Sequence, residues 1–184
     1  MKNFKRFDDY FINLINSKIK NKYLDIFMFR ITDLGGAIFI TVFTLSLVIF
    51  GSTENKKIGV EALVVLGISQ IFVHSLKRLW GRERPYKIIE QLNTFGFDLP
   101  DYSFPSGHTT ASFSLATTLA LNIPRISIIV LFLALIIAIS RIYLGVHYPT
   151  DIAAGVILGM GCSIIVHIYL VELVNQIVSF IGIS

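Results

Sequence analysis

The sequence predicts an all-α membrane bundle: about five transmembrane helices, preceded by an amphipathic helix on the membrane surface. Three observations carry that reading. Of 184 residues, 54% are apolar and 15% charged, too apolar a balance for a soluble domain of this length. The apolar residues fall in long blocks, and a helix needs about 20 of them in succession to cross hydrocarbon. Lys and Arg, which leave a formal net charge of +4, gather between those blocks. The length suits one domain over 1–184, with residues 1–22 as the surface segment and 24–184 as the bundle.

Taking the elements in order, Phe4, Phe7, Phe11, Leu14 and Ile15 recur at helical steps. Lys2, Lys5, Arg6, Lys18 and Lys20 surround them, the pattern of a helix lying in the interface. The first span is expected from Leu24 to Phe50, with Arg30 and Asp33 near its start as a local pair. The second runs from Val60 to Leu79, after a polar loop from Gly51 to Gly59. The third, from Gly107 to Asn122, carries Thr109, Thr110, Ser112, Ser114, Thr117 and Thr118, which suits the inside of a bundle better than lipid. The fourth runs from Ile126 to Tyr143. The fifth begins near Pro149 and continues past Val171, with Gly155 and Gly159 as a close-packing face.

Composition also excludes. The basic residues lie between apolar spans instead of on a solvated face, so nucleic acid is not an expected partner. Cys162 is the only cysteine, so no intrachain disulfide forms. The basic start leads into the mixed stretch Phe7 to Lys22, not an apolar core, so no cleavable signal is expected.

Alternating spans bring three sequence-distant polar clusters to one membrane face. The first is Lys77 to Pro85. Lys77 and Arg84 are seven residues apart, about two turns, and share a face if the helix persists. Two fixed cations suit a phosphate; a basic interfacial anchor would look the same. The second is Pro105-Ser106-Gly107-His108. Ser106 is placed to cap the third helix, and Gly107 lets backbone approach a ligand. Free N–H groups at a helix start bind anions. The third runs from Ser140 and Arg141 to His147, Pro149 and Asp151. Pro149 suits a first helical turn. Asp151, four residues after His147, can hold one ring nitrogen and leave the other free to attack.

Together these clusters, K-x6-R-P, P-S-G-H and S-R-x5-H-x3-D, resemble the three-part signature of the type 2 phosphatidic acid phosphatase (PAP2) family, with every motif residue present. The resemblance implies a metal-independent membrane lipid phosphatase that works through a phosphohistidine intermediate and needs no cofactor. It implies His147 as nucleophile, Asp151 as its orienting group, and His108 as the acid that protonates the leaving oxygen. Lys77, Arg84 and Arg141, with Ser106 and Gly107, would hold the phosphoryl oxygens. Candidate substrates are undecaprenyl diphosphate, phosphatidylglycerophosphate and phosphatidic acid.

A lipid-to-acceptor phosphotransferase would use the same residues. A non-catalytic binder or transporter of anionic lipid would keep the three cations but would not need His108, His147 and Asp151 together. A soluble haloperoxidase shares the motif but not the apolar spans. His74 and His167 are expected to be helix-packing residues, and no cluster has the composition of a metal site. Sidedness is contested. Counting Lys and Arg places the motif face in the cytoplasm, whereas the small bacterial proteins the chain resembles face outward. The outward face is the expectation adopted.

Overall fold

The computed structural model describes residues 2–180 and 182, with side chains from residue 5 onward. Lys2 and Phe4 of the surface pattern therefore have no described side chains. Among the described residues all regular structure is helical: α1 Lys2–Asn13, α2 Lys22–Ile31, α3 Ala37–Phe50, α4 Thr53–Trp80, α5 Pro85–Ile88, α6 Gly107–Asn122, α7 Ser127–Tyr143, α8 Pro149–Tyr169 and α9 Val171–Phe180.

Three helices, α4, α7 and α8, are long and apolar enough to cross a membrane. The α2 and α3 segments, bent by 51° to each other, pass the same test only when taken as a pair. The expected first span is thus broken. A 3₁₀ turn, Thr32–Gly35, joins its halves, and Gly36 is extended. The break presses backbone against the bundle: a Cβ at Gly35 would stand 2.5 Å from Ile137 and 2.8 Å from the Ser112 hydroxyl. No ion pair joins Arg30 and Asp33 among the described residues.

The expected polar loop at 51–59 is instead largely helix. Ser52 caps α4, accepting from the Asn55 N–H at 3.4 Å. With 28 residues, α4 is about 42 Å long at the α-helical rise, more than the hydrocarbon needs. The fifth span also differs from expectation: α8 ends at Tyr169, and α9 starts after a break at Leu170.

The expected third span, α6, has 16 residues, about 24 Å, short of a hydrocarbon core of about 30 Å. It is the central helix, packed by α4, α7 and α8 and buried throughout from Thr109 to Leu119. Apolar burial does not hold helices together in lipid; close packing and hydrogen bonds do. Accordingly, Ser163 donates to the Ser114 carbonyl at 2.9 Å, and Ser114 donates to Ser69 at 3.1 Å. On α8, a Cβ at Gly159 would stand 2.6 Å from the Thr110 carbonyl, so the expected small-residue face is the one against α6.

The surface helix α1 turns Phe7 and Tyr10 outward and buries Asp8 and Ile12 against the bundle. Asn16, in the turn that follows, donates to the Tyr143 carbonyl at 2.7 Å and so ties this segment to the end of α7.

Candidate active site

The three polar clusters meet at the ends of α4, α6 and α7 and the start of α8. Lys77 is in the last turn of α4, 6% exposed. The helix does not persist to Arg84. Gly81, at φ 57°, takes the left-handed conformation that ends it, and its N–H bonds the Lys77 carbonyl at 3.1 Å. Lys77 and Arg84 therefore do not share a helix face. They converge because both grip Asp101, in the loop before α6. Lys77 Nζ is 2.7 Å from Asp101 Oδ2, and Arg84 donates to Oδ1. Arg84 Nε also donates to the Asp101 carbonyl at 2.9 Å, and its NH1 to the Val146 carbonyl at 3.0 Å.

Ser106 caps α6 as expected, its hydroxyl accepting from the Thr109 N–H at 3.4 Å and the Thr109 hydroxyl at 2.9 Å. That capping work keeps it behind the cavity wall, whereas Gly107 and His108 line the cavity itself. Arg141, in the last turn of α7, donates to Thr32 at 2.8 Å, so the broken span helps to aim it. Its buried Nε has no hydrogen-bond partner.

His147 stands in the turn between α7 and α8. Gly145, at φ 71°, supplies the left-handed residue that this turn requires. The ring is 2% exposed, and its Nε2 lies 3.2 Å from Arg84 NH1. Nδ1 is 3.4 Å from Asp151 Oδ2, but the angle makes no hydrogen bond. In this structure Asp151 Oδ2 accepts from the Tyr148 N–H at 2.9 Å, and Oδ1 accepts from Arg82 at 2.7 Å.

The result is a cavity of 250 Å³ walled by Lys77, Arg84, Arg141, Gly107, His108 and His147. Burial, reinforced by Arg84, Arg141 and Lys77, pushes the His147 ring well below its ordinary pKa, which favours the neutral imidazole, its Nε2 lone pair facing Arg84 NH1. Burial alone would raise the Asp101 carboxyl, but hydrogen bonds and charge from Lys77 and Arg84 outweigh it and hold it well below the carboxylate range. Such a site can seat a phosphoryl group among three cations with a neutral imidazole beside it.

The PAP2 superfamily family model matches residues 58–174. The chain belongs to the PAP2 superfamily. The PAP2 match contains every motif residue described above. An undecaprenyl-diphosphatase of Sulfolobus acidocaldarius is 32% identical over 121 residues, which cover 65% of this chain and 58% of that one. The chain spans little more than half the length of the curated relatives it matches. Among solved structures, LpxE of Aquifex aeolicus superposes with a TM-score of 0.80 at 31% identity, covering 88% of this chain and 95% of that one. The transmembrane PAP2-type phosphatidylglycerolphosphate phosphatase of Bacillus subtilis gives 0.75 at 25% identity, covering 96% and 88%. With its apolar membrane-length helices and this transmembrane PAP2-type neighbour, this is an integral membrane protein.

Sequence reasoning missed Asp101, Arg82 and Asp8. Arg82 lies inside the first cluster, where nothing but its charge marks it. Asp101, five residues before Ser106 in the long loop, carried no periodic signal. His74 was expected to pack between helices, but it lines the cavity. His167 does pair across helices, 2.9 Å from Glu61, to which Asn122 donates at 3.0 Å.

Proposed function

We propose that this protein is a lipid phosphatase that hydrolyses a phosphate monoester or diphosphate ester of a membrane lipid through a phosphohistidine on His147. The observation that carries the reading is the buried His147 ring, which lines one cavity with Lys77, Arg84 and Arg141 and has its Nε2 3.2 Å from Arg84 NH1. Nε2 attacks phosphorus, the bond to the lipid oxygen breaks, and that oxygen takes a proton from His108. Water then attacks the phosphohistidine. The P–N bond breaks, and the proton lost by water goes to His108. As the His147 ring becomes positive, Asp151 draws its Nδ1–H into a hydrogen bond.

Phosphoryl transfer spreads charge over the equatorial oxygens, so fixed cations and helix-start N–H groups stabilise it directly. Lys77, Arg84, Arg141 and the Gly107 and His108 backbone supply these donors in our reading. Ser106 acts through the helix start it caps. Neither a cofactor nor a metal is required by this scheme.

A long hydrocarbon chain is part of the substrate. An apolar groove of 160 Å³, lined by Leu34, Phe39, Ile40, Leu133 and Ile137, runs between α3, α6 and α7. Its Leu34 adjoins Gly35 of the cavity wall. An undecaprenyl diphosphate and a phosphatidylglycerolphosphate both join a long chain to a terminal phosphate, the same pairing of apolar and anionic groups that the groove and cavity offer. The test is phosphate release by purified protein in detergent from these two lipids, phosphatidic acid and short-chain soluble esters, with EDTA present. Turnover of long-chain lipids in EDTA is expected. Equal turnover of short soluble esters would contradict the lipid reading.

A further inference from the structure

The surface helix α1 reaches the back of the site through a contact that the chemistry above leaves without a role. Asp8 is 1% exposed, although its neighbours Phe7 and Tyr10 are 48% and 63% exposed. Its carboxylate accepts the Thr150 N–H at 3.0 Å, the Thr150 hydroxyl at 2.7 Å and Arg82 NH2 at 2.6 Å. The other terminal nitrogen of Arg82 donates to Asp151 Oδ1 at 2.7 Å and to Thr150 Oγ1 at 2.7 Å. The guanidinium lies 3.8 Å from the centre of the Tyr148 ring. Asp8, Arg82 and Asp151 thus form a hydrogen-bonded chain from the membrane-surface helix to a carboxylate that stands 3.4 Å from Nδ1 of the His147 imidazole.

Asp151 is fully buried, and a buried carboxylate without a cation is costly. Among the described residues Arg82 is the Lys or Arg that pairs with it. Arg82 stands at a boundary. Its side chain is 27% exposed, and it also lines a surface cavity of 570 Å³ with Lys5, Trp80 and Phe104. A long cation at such a boundary tends to swing its head into water. Asp8 and the Tyr148 ring hold it inward. Without Asp8, Arg82 has a competing position, and Asp151 loses the partner that orients its carboxylate toward Nδ1 of His147.

We infer that Arg82 and Asp8 are positioning residues for phosphoryl transfer: Asp8, carried on the surface helix, holds Arg82 against Asp151, and Arg82 aims and charge-balances Asp151 beneath His147. The inference rests on His147 being the nucleophile. It makes the docking of α1 part of the catalytic unit, so turnover depends on a helix that touches no substrate.

The test uses the purified full chain in detergent and a long-chain lipid diphosphate. Asp8→Asn, Arg82→Gln and Arg82→Lys are each measured alone and in an Asp151→Asn background, with Asp9→Asn as control. Asp8→Asn and Arg82→Gln are expected to lower kcat by about tenfold or more, as outer-shell changes do, with KM within about twofold because no substrate contact is lost. Arg82→Lys recovers part of the loss, and Asp9→Asn behaves as wild type. In the Asp151→Asn background the same changes have less than about twofold effect, because residues acting through one group are not additive. If Arg82→Gln fails to fold, Asp8→Asn and Arg82→Lys carry the comparison. Wild-type kcat in both Asp8→Asn and Arg82→Gln overturns the inference, as do losses that multiply undiminished onto Asp151→Asn. His147→Ala is run alongside: full activity there would sink the nucleophile assignment itself, a result distinct from either of these.

Discussion

Replacing Asp101 by asparagine is expected to tighten the hold on phosphate. Asp101 Oδ2 lies 2.7 Å from Lys77 Nζ, and Oδ1 accepts from Arg84. Both cations wall the cavity, so a phosphoryl group must take donors that the carboxylate now holds. The Asp101 side chain is 49% exposed, which screens its ion pairs. Each exchange is then worth about 0.2–1 kcal/mol, and the two together about 0.4–2 kcal/mol, or about 2- to 30-fold in affinity. Inorganic phosphate or vanadate, titrated as an inhibitor of lipid hydrolysis, should show that gain in Asp101→Asn. Unchanged or weaker inhibition would refute the reasoning. Asp101 would then be the brace that keeps Lys77 and Arg84 in place, not an anion that gives way to substrate.

Three further outcomes follow from the packing and charges. Gly159→Ala puts a methyl 2.6 Å from the Thr110 carbonyl and 2.9 Å from the Ser114 nitrogen, both backbone of α6. Overpacking of this kind costs about 1–3 kcal/mol, so the melting temperature in detergent should drop by about 2–12 °C; an unchanged melting point would contradict the close approach of α6 and α8. His147 is held neutral by burial and by Arg84, Arg141 and Lys77. The unfolded chain takes up a proton at this residue below about pH 6.5 while the folded chain does not, so stability is lost as pH falls through that value. His147→Gln should flatten the fall in melting temperature between about pH 6.5 and 5, and an identical slope in both proteins would remove His147 from the linkage. For sidedness, single cysteines at Gln91 and Glu54, in a Cys162→Ser background, are labelled with an impermeant thiol reagent on intact cells. Labelling at 91 but not 54 is expected for an outward site, and the reverse would place it in the cytoplasm.

The chemistry of the site was more legible than its architecture, for a physical reason. Residue types at set separations single out Lys77, Arg84, His108, Arg141 and His147 as site candidates, and all of them wall one cavity. The way they converge was not readable. Helical spacing suggested a shared face for Lys77 and Arg84, whereas Gly81 ends the helix and Asp101 gathers the two cations through tertiary contact. The apolar count over Leu24 to Phe50 resembled one straight span. The adjacent Gly35 and Gly36 were the available sign of a break, and its use in bringing Thr32 to Arg141 depends on long-range contact that periodicity does not carry. The surface helix shows the same limit. Its aromatic stripe includes the exposed Phe7, whereas the contact with Arg82 is made from the buried side, where a single Asp8 among charged neighbours has no distinguishing pattern.

The central claim is tested most directly by trapping the covalent intermediate. Wild-type protein is mixed with a lipid diphosphate carrying labelled terminal phosphate, quenched within the first turnover in alkali, where a phosphohistidine survives, and digested to locate the label. The account predicts acid-labile phosphate on the peptide that contains His147, absent from His147→Ala, which should also show no lipid turnover. Phosphate found on another residue, or substantial lipid hydrolysis by His147→Ala, would contradict it.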